Sequence, residues 1–181
     1  QRALNIYYSD PQQYDQAMAD YDKAIELAPQ DYGAYNGRGL IYYARGQYDE
    51  AVTDYNAAIE LNENYALAYN NRGLVASDRG ENETALADYN KALELDPNNA
   101  AAYNNRGIVY HNQEQYEQAL ADYDKAIELD PSYAAPVHNR ALIAYTQGDY
   151  DEAIAGYTEA ISLDPGYVAA YNDRGLAYYQ Q

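Results

Sequence analysis

AAAYNNRGIVYHNQEQYEQALADYDKAIELDPSY, residues 100–133, decides the fold, because most of it recurs in register 34 positions upstream and downstream. The segments 66–99, 32–65 and 134–167 carry the same framework; residues 1–31 form a first copy without its opening three residues, and 168–181 begin a sixth. A period of this length is the mark of stacked supersecondary units, none of which can bury its apolar face alone.

Within each repeat the apolar positions follow helical spacing twice, as in Tyr103, Gly107 and Tyr110, then Tyr116, Ala119, Leu120, Tyr123, Ala126, Ile127 and Leu129. Each repeat is therefore a helix pair. Gly46, Gly80 and Gly148 suit a positive-φ break between the two helices, a place that Gln12 and Glu114 fill less comfortably. Pro29, Pro97, Pro131 and Pro165 stop the second helix, since proline lacks the donor and clashes with the preceding turn. Glu63 stands in that column once, so the junction after Leu61 rests on Asn62 and Asn64 and is expected to be softer.

The net charge of -18, from 29 acidic and 11 basic residues, repels a phosphate backbone and an anionic membrane surface, which argues against nucleic acid as a partner. No apolar run is long enough for membrane insertion, and QRALNIYYSD at the start has no signal-peptide pattern. The absence of cysteine removes thiolate chemistry and disulfides and leaves the compartment open. No nucleophile motif, phosphate loop or metal motif appears, so neither catalysis nor a cofactor is expected. Asn82-Glu83-Thr84 is a formal glycosylation sequon, with meaning only for an exported chain.

Tyr103, Gly107, Tyr110, Ala119, Tyr123, Ala126 and Pro131, with the same columns filled in most other repeats, resemble the signature of the tetratricopeptide repeat family, as a bacterial-type array. The resemblance covers residues 1–181 as one array. It implies an all-α solenoid, a right-handed superhelix of antiparallel helix pairs with a 34-residue period. Tyrosine replaces the family's tryptophan and phenylalanine, with 25 Tyr and neither Phe nor Trp. Rings such as Tyr55, Tyr89 and Tyr123 are expected to be buried with their oxygens at the margins of the packing, where a hydroxyl finds a partner. The third repeat, with Ala76 and Asn82 for two tyrosines, is expected to pack less tightly.

The resemblance also implies that first helices line the concave face and that partners bind there. The candidate positions fall in rows: Asn36, Asn70, Asn104, His138 and Asn172; then Asn71, Asn105 and Asn139, with Asp173. Next come Leu40, Leu74, Ile108, Leu142 and Leu176, and after them Tyr43, Ser77, His111, Tyr145 and Tyr179. An asparagine can pair with the main chain of an extended peptide, or it can bridge neighbouring helices. The aliphatic row is either groove floor or helix contact. Some family members hold a C-terminal carboxylate with lysine, arginine and asparagine from three first helices. Here the matching cationic places hold Leu67, Ala101, Ala135, Asn36, Asn70 and Asn104, so that clamp cannot form.

Arg38, Arg72, Arg106, Arg140 and Arg174 form a row set against Asp20, Asp54, Asp88 and Asp122. These are expected to tie helices rather than bind an anion. Because Leu4 and Gly156 break the two rows, the pairing that orphans fewest residues joins Arg38 to Asp20, Arg72 to Asp54, Arg106 to Asp88 and Arg140 to Asp122. His111 and His138 lie in different rows, too far apart along their helices to share a metal.

The leading expectation is a non-catalytic interaction scaffold that holds a basic or neutral peptide or protein segment. The alternative is a structural protein whose arrays stack end to end, with Arg174 and Tyr171 meeting a neighbour.

Overall fold

The computed structural model describes residues 11–181, and among them every regular element is a helix. The chain divides into two compact units, one ending at Pro97 and one beginning at Asn98. The first holds α1 (Pro11–Leu27), α2 (Tyr32–Ala44), α3 (Tyr48–Leu61), α4 (Ala66–Asp78) and α5 (Asn82–Leu95). The second holds α6 (Ala100–Asn112), α7 (Tyr116–Leu129), α8 (Ala134–Thr146), α9 (Tyr150–Leu163) and α10 (Val168–Gln180). Within each unit the elements are the paired helices of a solenoid, with α2, α4, α6, α8 and α10 as first helices.

The break between paired helices is a left-handed residue, at φ 71° for Gly46, 74° for Gly80 and 84° for Gly148. It turns the chain so that Gln47 N–H reaches Tyr42 O and Asp149 N–H reaches Ala144 O, both at 2.9 Å. Glu114 takes the same conformation at φ 59° and keeps the equivalent bond, Gln115 N–H to Tyr110 O at 2.9 Å. Gln12 differs from expectation: it lies inside α1, whose first residue is Pro11, a placement that proline's fixed φ favours. Leu4, which entered the arginine pairing, lies outside the described residues.

The second helices end alike whether or not proline follows. Asn62 N–H bonds Ala58 O at 3.0 Å, as Asp96 bonds Ala92 at 2.8 Å and Asp130 bonds Ala126 at 2.9 Å. Asn62 Oδ1 then accepts from Asn64 N–H at 3.1 Å, the role of Asp130 toward Ser132 at 3.0 Å. The junction at Glu63 is therefore built like its neighbours, because a side-chain acceptor at the helix end supplies the stop.

Packing follows the glycine column. A Cβ on Gly39 would lie 2.7 Å from the Tyr55 ring, one on Gly73 2.9 Å from Tyr89, and one on Gly107 2.6 Å from Tyr123. The missing side chain lets the rings of Tyr55, Tyr89 and Tyr123 come close to the partner helix, Ala141 stands in that column beside Tyr157, and all four tyrosines are 0% exposed. Contrary to expectation their hydroxyls are covered as well, and those of Tyr123 and Tyr157 make no hydrogen bond among the described residues. The cause is the close helix approach that glycine, or Ala141 beside Tyr157, allows, which carries the ring past the margin. The third repeat keeps a closed interior, with Ala68, Val75, Ala76, Ala85, Tyr89 and Ala92 all buried.

Candidate protein-interaction face

Part of the asparagine rows joins neighbouring helices. In the N-terminal unit Asn36, Asn70 and Asn71 are buried, and Asn71 Nδ2 donates to Asn36 Oδ1 at 2.9 Å, joining α4 to α2. Asn70 Nδ2 turns to Asn71 Oδ1 at 3.3 Å. The C-terminal unit repeats this: Asn139 Nδ2 donates to the buried Asn104 Oδ1 at 2.9 Å, and Asn104 Nδ2 approaches Asn105 Oδ1 at 3.5 Å. One amide offers both donor and acceptor, so two rows close on each other without leaving a buried polar atom bare. His138 and Asp173 are the ionisable version of the contact, with Nε2 2.7 Å from Oδ2. His138 is buried against the rings of Tyr157 and Tyr167, with centroids 5.3 and 5.0 Å away. The expectation that Asn36, Asn70, Asn71, Asn104 and His138 present side chains to a partner is corrected accordingly: they are walled in. Asn105 and Asn139 are half-buried, and Asn172 is exposed.

What remains on the first helices is apolar and aromatic. Leu40, Leu74, Ile108 and Leu142 are half-buried, and Leu176 is 52% exposed. In the next row Tyr43 stacks on Tyr48 at 5.8 Å, His111 tilts against Tyr116 at 5.8 Å and Tyr145 against Tyr150 at 5.5 Å. Each ring is thus backed by the first residue of the following second helix, a partner row at Tyr48, Tyr116 and Tyr150 that the five-residue spacing in the sequence already contained. Ser77 and Asn82 occupy these two columns in the third repeat, and Tyr179, at 85% exposed, has no following helix among the described residues. Tyr43 Oη donates to Asp78 Oδ2 at 2.8 Å, fixing its ring between α2 and α4. Burial alone lowers the His111 imidazole below its ordinary value, so its neutral form is favoured.

The arginine row behaves as a set of ties, but with different partners from those expected. Arg38 forks onto Asp54 of its own repeat, Nε at 2.8 Å and Nη2 at 2.7 Å, while Nη1 reaches back to Asp22 at 2.8 Å. Arg72 forks onto Asp88 at 2.8 and 2.6 Å and sends Nη1 to Asn56 at 2.6 Å. Arg106 forks onto Asp122 at 2.8 and 2.7 Å. Arg140 reaches Asp124 at 3.1 Å and Arg174 reaches Thr158 at 3.1 Å. The back-reaching N–H finds a residue two places beyond the aspartate row, which is why elimination within that row chose the wrong repeat. Asp20 accepts from Gln16 at 3.2 Å instead. The paired carboxylates raise the guanidinium pKa of Arg38, Arg72 and Arg106, so these cations are permanent.

No helix among the described residues is long and apolar enough to cross a membrane. Comparison with known proteins places this geometry. A family profile described as TPR repeat matches residues 5–44, 39–76, 77–114 and 141–181, and two described as tetratricopeptide repeat match 100–133 and 122–155. No curated protein sequence matches the chain. Among solved structures, a tetratricopeptide repeat protein from Parabacteroides merdae ATCC 43184 is 25% identical, with a TM-score of 0.75 over 98% of this chain and 71% of that one. A crystal structure of MamA protein is 27% identical, TM-score 0.68, over 82% and 81% of the two chains. YrrB, described as a TPR protein with an unusual peptide-binding site, is 24% identical, TM-score 0.68, over 95% and 88%.

Proposed function

Because the chain belongs to the tetratricopeptide repeat family, whose members are protein-interaction scaffolds, we propose that it is non-catalytic and holds a peptide or protein segment against its first helices. The observation that carries this reading is the division of labour on those helices. Their buried amides are engaged with one another, while Leu40, Leu74, Ile108, Leu142, Tyr43, His111 and Tyr145 stay partly open. Apolar and aromatic side chains on a rigid support supply affinity, and the net charge of -18 favours a basic or neutral segment. Selection from a random peptide display library tests this. Enriched peptides are expected to be neutral or basic, with the affinity of the basic ones falling as salt rises; enrichment of acidic peptides, or basic peptides whose affinity is indifferent to salt, contradicts the charge argument.

A second reading, end-to-end association of arrays, is favoured by one feature. Val168, Tyr171, Leu176, Tyr178 and Tyr179 on α10 are all exposed, between 45% and 85%. Sedimentation of the chain over a wide concentration range decides it: association is expected under this reading, and a monomer throughout contradicts it.

A further inference from the structure

The fifth repeat keeps its arginine but has changed both residues around it. Where the fourth has Gly107 and Asp122, the fifth has Ala141 and Gly156. The exchange is sterically reciprocal: the Ala141 Cβ lies 2.7 Å from where a Cβ on Gly156 would stand. Once alanine occupies the first-helix position, the chain has no room there for the aspartate that grips the other arginines. The fork of Arg140 is left without that aspartate, and its Nη2 faces Glu159 instead, an ion pair at 3.6 Å. Its one hydrogen bond among the described residues is Nη1 to Asp124 at 3.1 Å. A notch of about 160 Å³ opens beside it, lined by Arg140, Ala141, Glu152, Ala155, Gly156 and Glu159.

From this we propose that the notch at Arg140 is a subsite for a carboxylate presented by a protein partner. The two-point contact it would make is formed three times among the described residues with the carboxylate supplied internally, as Asp54, Asp88 and Asp122. Glu152 and Glu159 in the lining and Asp124 on Nη1 oppose an incoming anion but do not forbid it. Arg38 already carries two carboxylates at once, Asp22 at 2.8 Å and Asp54 at 2.7 Å, and Asp124 with an incoming carboxylate reproduces that arrangement at Arg140. Glu159 is half exposed and outside hydrogen-bond distance, so it is the group that gives way. The subsite lies on the seam of α8 and α9, apart from the open rows of the first helices. It rests on the scaffold reading only in requiring a protein partner. A bidentate arginine–carboxylate contact is directional, so the subsite fixes register more than it adds affinity.

The test uses acetate as the probe, exchanged for chloride at constant ionic strength, with the arginine Nε–H and the Gly156 and Ala155 amides followed by NMR. The Arg140 Nε–H and the two amides are expected to shift saturably. The Nε–H signals of Arg38, Arg72 and Arg106, whose forks are filled, are expected to stay still. Glu159→Gln, which removes the competing carboxylate, should tighten the response, and Arg140→Lys, which keeps the charge but not the fork, should abolish the amide shifts. Equal movement of all four arginines, or the same shift with chloride, would mean an adventitious ion only and overturn the proposal. Survival of the amide response in Arg140→Lys would overturn it as well. None of these outcomes bears on peptide binding by the first helices, which the display selection reads separately.

Discussion

Arg72 and Asp88, on the paired helices α4 and α5, close a two-point contact at 2.8 and 2.6 Å, with the aspartate side chain only 7% exposed. A carboxylate so enclosed depends on its partner. Arg72→Ala is expected to cost about 3 kcal/mol, the scale for stranding one member of a buried pair. The double variant Arg72→Ala/Asp88→Ala is expected to be more stable than the single one, because it removes the stranded charge. Urea unfolding of wild type, both single variants and the double variant checks this as a cycle.

The hydroxyl of Tyr123 is the converse case, a buried polar atom with no hydrogen bond among the described residues. Tyr123→Phe is therefore expected to leave stability unchanged or raise it by up to about 1 kcal/mol. Gly107→Ala, whose Cβ would stand 2.6 Å from that same ring, is expected to cost about 1–3 kcal/mol by forcing the helices apart. Thermal melting of both variants reads the two signs.

Glu114 holds a left-handed conformation at φ 59° where the other helix breaks have glycine. Glu114→Gly relieves the clash between Cβ and carbonyl and is expected to stabilise the chain by about 1 kcal/mol. Gly80→Ala, at φ 74°, should lose a similar amount. Midpoints of chemical unfolding settle both.

Burial depresses the His111 imidazole below its ordinary value of 6.5, so the unfolded chain takes up that proton first as pH falls. The stability linked to His111 is then intact above the ordinary value and lost as the medium acidifies through and below it. His111→Asn should lose less stability than wild type between neutrality and about one unit below the ordinary imidazole value. Unfolding midpoints at the two pH values, compared between variant and wild type, give the difference.

The period, the helix pairs and their breaks were legible because each rests on local chemistry: helical spacing, a left-handed glycine, a stop at the end of the second helix. The same chemistry explains the Glu63 junction, where Asn62 supplies the acceptor that aspartate supplies elsewhere. Side-chain direction was harder. Asn36 and Asn71 lie in adjacent rows of successive first helices, and only their 2.9 Å contact shows that these two side chains face each other. Arg38 was readable as a tie but not as a fork to Asp54, since its third N–H goes to Asp22, outside the aspartate row. The covered hydroxyls of Tyr123 and Tyr157 follow from how closely glycine and alanine let helices approach, a distance no residue pattern states.

The central claim, that partner binding resides in the open apolar row and not in the amide rows, is tested most directly at one position. For a peptide taken from the display selection, binding to Ile108→Asp is measured by calorimetry beside Asn105→Ala, with circular dichroism confirming that both variants fold. Loss of binding in Ile108→Asp, with binding retained in Asn105→Ala, is the predicted result. Undiminished binding by a folded Ile108→Asp would contradict it.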